Sequence, residues 1–74
     1  MIAMEAVKEI MKRKEVRPSN LYEALGIKSN VLSERFKQKN VSVSKLNEIV
    51  RLMDYRIILT PKDRELDEDC YEVE

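Results

Sequence analysis

The sequence predicts an all-α fold, a compact bundle of four short helices followed by one C-terminal β-strand and an acidic tail. Three observations support this expectation. Apolar residues recur three and four positions apart in four segments between residues 2 and 53, the spacing of helices that bury one face. Residues 55–60 change to β-branched and aromatic types. The length of 74 residues allows a single domain, whose own core is marginal at this size.

The first two helices are separated by a break near residue 16. In the segment 2–14, apolar residues form one helical stripe and charged residues lie between them. Pro18 suits the first turn of the second helix, because an N–H at that position would have no helical partner. This helix reaches Leu25 and ends at Gly26, the only glycine of the chain. The position of that glycine predicts a residue with positive φ at the corner.

The third and fourth helices each begin at a serine. We expect Ser29 to cap a helix that ends near Lys37, and Ser42 to cap one that ends at Asp54. The apolar stripe of the fourth helix consists of Val43, Leu46, Ile49, Val50 and Met53. The residues expected to form the core of the domain are Leu21, Leu25, Ile27, Leu32, Phe36, Leu46, Ile49 and Val50.

A short strand is predicted at residues 55–60, which Pro61 closes. A lone strand leaves its backbone polar groups unpaired, and no other segment of the chain has the character of a strand. We therefore expect antiparallel pairing with the same strand of a second copy across a two-fold axis. The residues expected at this dimer interface are Tyr55, Ile57, Ile58 and Leu59. In the alternative, the segment is a last helical turn followed by extended chain packed on the body.

The net charge of zero conceals a basic body and an acidic tail. Residues 1–62 hold 13 basic and 7 acidic residues, a charge of +6, whereas residues 63–74 hold one basic and seven acidic residues, a charge of −6. A basic body is expected of a polyanion-binding protein, although it also serves solubility alone. The tail lacks an apolar pattern, so we expect it to be flexible. It either solubilises the protein, folds back on the basic face, or recruits a basic protein partner.

Composition argues against several classes of protein. The chain has no His and a single Cys, so we expect no metal site, no Cys/His nucleophile pair and no internal disulfide. We expect no cofactor and no enzymatic activity, because the clustered carboxylates of the tail offer no preorganised pair. No apolar run approaches the roughly 20 residues that cross a bilayer. A lone Cys, Cys70, is typical of a reducing compartment, so we expect a cytoplasmic protein.

The segment 18–37 reads PSNLYEALGIKSNVLSERFK and places two short helices on either side of a tight turn at Gly26. Two helices that cross at a large angle need positive φ at the corner and an apolar wedge beside it, here Ile27. On this motif and the helix after it, residues 5–62 resemble the helix-turn-helix domains of the Cro and lambda-type repressor superfamily, also called the xenobiotic-response-element family. The resemblance implies a homodimeric repressor of transcription in a bacterial or phage-infected cell, with the third helix in the DNA major groove.

The same resemblance implies which residues contact double-stranded DNA. The start of the third helix would contact base edges, and the residues expected to do so are Lys28, Ser29, Asn30 and Ser33. Helix ends approach the sugar–phosphate backbone in this fold, and the residues expected to contact phosphate are Arg17, Lys37, Lys39 and Lys45. For each of these residues, the alternative that it is an ordinary solvated side chain explains its presence about as well. Glu34 would repel phosphate unless it accepts from N4 of cytosine or pairs with a cation on its own helix, and we expect such a pair with Lys37 or Arg35.

Two hypotheses for the function follow. In the first, residues 1–62 form a DNA-binding domain with a dimerisation strand at 55–60, and residues 63–74 form a tail. In the second, the same scaffold is a protein-interaction module, such as a small antitoxin or inhibitor, that binds a protein partner through the acidic tail. Binding to duplex DNA at several salt concentrations separates the two hypotheses.

Overall fold

A computed structural model describes residues 1–73 as four helices with no strand in this range. The helices are α1 (Ala3–Lys14), α2 (Pro18–Leu25), α3 (Ser29–Lys37) and α4 (Val43–Arg51). Both α3 and α4 pack against α1, and both also pack against α2. The expected all-helical fold is therefore confirmed. None of the helices within residues 1–73 has the length and apolar character needed to cross a membrane.

The core lies where the four helices meet, and α1 supplies much of it. The buried apolar residues are Met4, Ala6, Val7, Ile10, Met11, Leu21, Leu32, Ile49, Val50 and Met53. Four of the eight predicted core residues are fully buried, and the other four (Leu25, Ile27, Phe36 and Leu46) are half-buried against this cluster. The assignment of Val43 to the packed stripe was wrong, because this side chain is 69% exposed. Val43 is the first residue of α4, one turn before the residues of that helix that pack.

Three helical segments end in the same way, with one residue in the left-handed conformation. The φ values are +56° at Glu15, +69° at Gly26 and +62° at Asp54. At the corner after α2, the Ile27 amide donates to the Tyr22 carbonyl at 3.0 Å. The Gly26 amide donates to the Glu23 carbonyl at 3.2 Å, which completes a Schellman motif. The predicted positive φ at Gly26 is thus confirmed.

The two predicted serine caps had different outcomes. Ser42 caps α4, because its Oγ accepts a hydrogen bond of 3.2 Å from the backbone amide of Lys45. Ser29 does not cap α3, because the helix begins one residue earlier than expected. Lys28 has the extended backbone of a cap residue, and its carbonyl accepts from the amides of Val31 and Leu32 at 3.0 and 3.2 Å. Ser29 is consequently the first helical residue, and its hydroxyl caps nothing.

Residues 55–60 do not form a strand within residues 1–73, since no second strand in that range is available to pair with them. The Tyr55 amide donates to the Val50 carbonyl at 3.0 Å, whereas the backbone groups of residues 56–60 make no hydrogen bond to any described residue. Ile58 is 57% exposed and Leu59 is fully exposed. Pairing with a second copy therefore stays a prediction.

The acidic tail runs along α1 in the opposite direction. Near the C-terminal end of α1, Arg13 donates from Nη2 to the Glu68 carbonyl at 3.4 Å. Near the N-terminal end, the amino group of Met1 donates to the Glu72 carbonyl at 3.3 Å. Between these points Tyr71 is half-buried against the core. The tail thus has one docked arrangement, and its flexibility stays a prediction.

Candidate nucleic-acid interface

One buried residue, Leu32, anchors α3 on the core. Leu32 is 1% exposed and lies among the core residues supplied by the other helices. Phe36, one turn later, is half-buried against the same cluster, and the Nζ of Lys8 lies 5.8 Å from its ring centroid. Since residues four apart share a helix face, these two contacts set which side of α3 faces solvent.

The corner at Gly26 determines where α3 begins. Only three residues, 26–28, separate the end of α2 from the start of α3. The left-handed Gly26 ends α2, and Ile27 packs against the core, so that α3 starts just beyond an anchored residue. A turn of three or four residues with a glycine is typical of helix-turn-helix motifs. The turn holds the N-terminal end of α3 at the surface, where Lys28, Ser29 and Asn30 are all exposed.

The four residues expected to contact bases share one exposed region of α3. Lys28 precedes the helix, Ser29 and Asn30 open it, and Ser33 follows one turn later. All four are exposed, and none of their side chains is hydrogen-bonded or ion-paired to another residue within 1–73. Their donors and acceptors are therefore available to a ligand that approaches the outer side of α3.

The four residues expected to contact phosphate are all exposed and lie at or near the ends of helices. Arg17 precedes α2, Lys37 ends α3, Lys39 lies in the connection to α4, and Lys45 lies in the first turn of α4. The side chains of Arg17, Lys39 and Lys45 form no hydrogen bond or ion pair with any residue in the range 1–73. The Arg17 backbone amide is fixed by a 2.9 Å hydrogen bond to Asn20 Oδ1. A cation thus stands at the beginning of α2, at the end of α3 and around the beginning of α4.

Glu34 is paired on its own helix, as expected. Its Oε1 lies 3.7 Å from the Nζ of Lys37, and the two side chains are 71% and 75% exposed. An exposed pair of this spacing contributes a few tenths of a kcal/mol at most. Lys37 can therefore leave Glu34 for a phosphate group at little cost in free energy.

Arg35 is the other basic residue of α3 that was expected as a partner of Glu34. It is half-buried, and its Nη1 atom is buried without a hydrogen-bond partner in the part of the chain that the structure describes. Arg35 therefore lies against the body of the domain, and it is not the partner of Glu34.

Val31 is a residue of α3 for which the sequence analysis predicts no role. It follows Asn30, and its side chain is 39% exposed. Its neighbour Leu32 is the residue that packs in the core. A β-branched residue outside the apolar stripe of a helix is a weak signal in a sequence, because single exposed apolar side chains are common.

A broad groove lies elsewhere on the molecule, between α1, α4, residues 55–60 and the tail. It encloses about 820 Å³ and is lined by apolar side chains that include Val7, Ile10, Val50 and Ile57. Tyr55 also lines this groove. Its burial, and next the nearby Tyr71, raise the pKa of the Tyr55 phenol above its usual value. The ligand atoms of Asp67, Asp69 and Cys70 lie within 4.8 Å of one another in this tail, and all three residues are exposed.

The exposed face of α3, with its uncommitted polar side chains and surrounding cations, is the best-defined candidate site of the molecule. Comparisons of the chain with protein-family models, with curated proteins and with solved structures gave no match.

Proposed function

We propose that this protein is a sequence-specific regulator of transcription, a homodimer that binds double-stranded DNA with α3 in the major groove. The carrying observation is the exposed N-terminal half of α3, where Lys28, Ser29, Asn30 and Ser33 have no partner within residues 1–73. A helix of nine residues is about 13.5 Å long, and the major groove is wide enough to admit one helix. The repressor activity follows from occupation of a promoter.

The chemistry of these side chains suits the edges of base pairs. The side-chain amide of Asn30 can form a bidentate contact with adenine, in which its NH₂ group donates to N7 and its oxygen accepts from N6. The ammonium of Lys28 can donate to O6 and N7 of guanine. Serine hydroxyls both donate and accept, so Ser29 and Ser33 suit several bases. Arg17, Lys37, Lys39 and Lys45 supply phosphate contacts, which give affinity without sequence preference.

The proposed dimer uses residues 55–60. The unpaired backbone groups of residues 56–60 and the exposed Ile58 and Leu59 form an edge that a second copy can satisfy by antiparallel pairing. A two-fold axis at this edge relates two α3 helices. The site would then be nearly palindromic, with half-sites about 34 Å apart in successive major grooves.

The test is selection of bound sequences from a random duplex pool, followed by binding measurements at several salt concentrations. Four phosphate contacts in each of two protomers predict a slope of log K against log salt of about −7. Asn30→Ala removes its base contact from both protomers, so it should weaken binding to the selected site by about thirtyfold or more and flatten the sequence preference. Asn40→Ala removes an exposed amide from the connection after α3 and should keep that preference.

The competing function is a protein-interaction module that uses the acidic tail. The observation in its favour is that Asp63, Glu65, Asp67, Glu68 and Asp69 are exposed and form no ion pair within residues 1–73. Such a module would bind duplex DNA weakly and would ignore the Asn30→Ala substitution. That combination of results would overturn the proposed DNA-binding function.

A further inference from the structure

The exposed face of α3 contains one apolar side chain. Among residues 3–37, which span α1, α2 and α3, Val31 is the only large apolar residue that is exposed. Every other exposed residue of α3 carries a hydroxyl, an amide or a charge. Val31 directly follows Asn30, and it lies one turn after Lys28 and one turn before Glu34. An apolar group therefore lies on the exposed side of α3, on the same helical face as Lys28 and Glu34.

Local stability does not explain this valine. The adjacent Leu32 already supplies the buried contact at this level of α3. An exposed valine in a helix is less favourable than alanine, because its branched side chain loses rotamer freedom against the preceding turn. The same restriction makes the side chain rigid. Valine thus presents its methyl groups in one main orientation, and little further entropy is lost when they contact a ligand.

The major groove offers one common apolar group for such a side chain, the C5-methyl group of thymine. We propose that Val31 is a specificity-determining residue that packs against a thymine methyl group next to the base contacted by Asn30. This inference rests on the proposed function, and it adds apolar recognition to the polar contacts of Lys28, Ser29 and Ser33. The selected half-site then contains a thymine whose methyl group, rather than its hydrogen-bonding edge, is recognised.

The test replaces each thymine of one selected half-site in turn by deoxyuridine, which removes only the methyl group. For the wild-type protein, one of these replacements should weaken binding about fourfold, the factor expected when one buried methyl-sized group is lost. Val31→Ala should bind the thymine site more weakly and should no longer distinguish thymine from deoxyuridine at that position. Alanine favours the helix, so circular dichroism should show a fold as stable as the wild type.

Val43→Ala is the matched control. Val43 is a more exposed helical valine, 69% exposed at the start of α4, and its substitution should leave the fourfold preference for thymine intact. Retention of the preference in Val31→Ala would overturn the inference. A wild-type protein that binds its selected site but is indifferent to every deoxyuridine replacement would also overturn it. Failure to select any preferred sequence would instead refute the proposed function itself.

Discussion

Three residues with positive φ end helical segments, and their side chains differ in how well they tolerate that conformation. Gly26 has no Cβ, and an added Cβ would meet no other atom within 4 Å, so glycine is needed there for its φ alone. Asp54 is of a type that visits the left-handed region with local hydrogen bonding. Glu15 has neither advantage, although its amide donates to the Lys12 carbonyl at 3.4 Å. Of these three residues, Glu15 is therefore the one for which the left-handed conformation is least favourable.

Replacement of Glu15 by glycine should stabilise the protein. The left-handed conformation costs an ordinary residue about 1–2 kcal/mol, and the greater entropy of glycine in the unfolded chain offsets part of the gain. The expected increase in the free energy of unfolding is about 0.5–1 kcal/mol, measured by urea denaturation. Glu9→Gly, at an exposed position inside α1, should lower it by about 1 kcal/mol. A loss of stability in both variants would contradict the account of the α1 terminus.

Local signals explain which residues of the candidate site were predictable. The glycine corner and the Ser42 cap depend on residues within five positions of each other, so the sequence predicts both. The exposure of Val31 and the burial of the Arg35 Nη1 atom depend on which side of α3 the other helices cover. Periodicity indicates the approximate inner face of a helix, but it does not decide the residues at its edges.

Among the elements, the C-terminal tail contacts the last turn of α1 and residue 55 through an aromatic ring. Tyr71 places its ring centroid 6.2 Å from that of Tyr55, and the Arg13 guanidinium lies 5.8 Å from the Tyr71 ring. The Nζ of Lys14 lies 5.9 Å from the Tyr55 ring. Two cations of the last turn of α1 are thus engaged by aromatic rings of the C-terminal segment. These contacts lie on α1, whereas the four residues proposed to contact bases lie on or just before α3.

Tyr71 should hold the tail on α1. Tyr71→Ala removes a half-buried ring from the core and from its contact with Tyr55, so the free energy of unfolding should fall by about 1–2 kcal/mol. Tyr71→Phe keeps the ring and should stay within about 0.5 kcal/mol of the wild type. Urea denaturation measures both changes. If Tyr71→Ala is as stable as the wild type, the tail is free of the body in solution, as its composition predicted.

At the scale of the whole molecule, the segment 55–60 is the proposed contact between two copies of a marginally stable domain. A domain of 74 residues buries a small core, and this one leaves Ile57, Ile58 and Leu59 exposed on a segment whose backbone is unpaired from residue 56 to residue 60. Exposed apolar side chains beside unpaired backbone groups favour association with another chain. The same contact would set the separation of the two α3 helices, so association and DNA binding should be coupled.

Ile58→Lys should abolish the dimer. A lysine at this position would bring like charges together across the two-fold axis and remove an apolar contact. Light scattering should give the mass of two chains for the wild-type protein and of one chain for the variant. Leu52→Lys introduces the same charge at another exposed apolar residue, just after α4, and should leave the dimer intact. An unchanged mass for Ile58→Lys would refute pairing through residues 55–60.

By itself, the sequence determined the four helices, the corner at Gly26 and the cap at Ser42. Helical hydrogen bonds and caps join residues only a few positions apart, so their pattern is readable along the chain. Only the tertiary structure decided that Val43 is exposed, that the backbone of residues 56–60 has no partner within residues 1–73, and that the tail lies along α1 through residues 68–72. These features depend on surfaces contributed by segments that are distant in sequence, and local periodicity carries no information about which distant segment covers a given face.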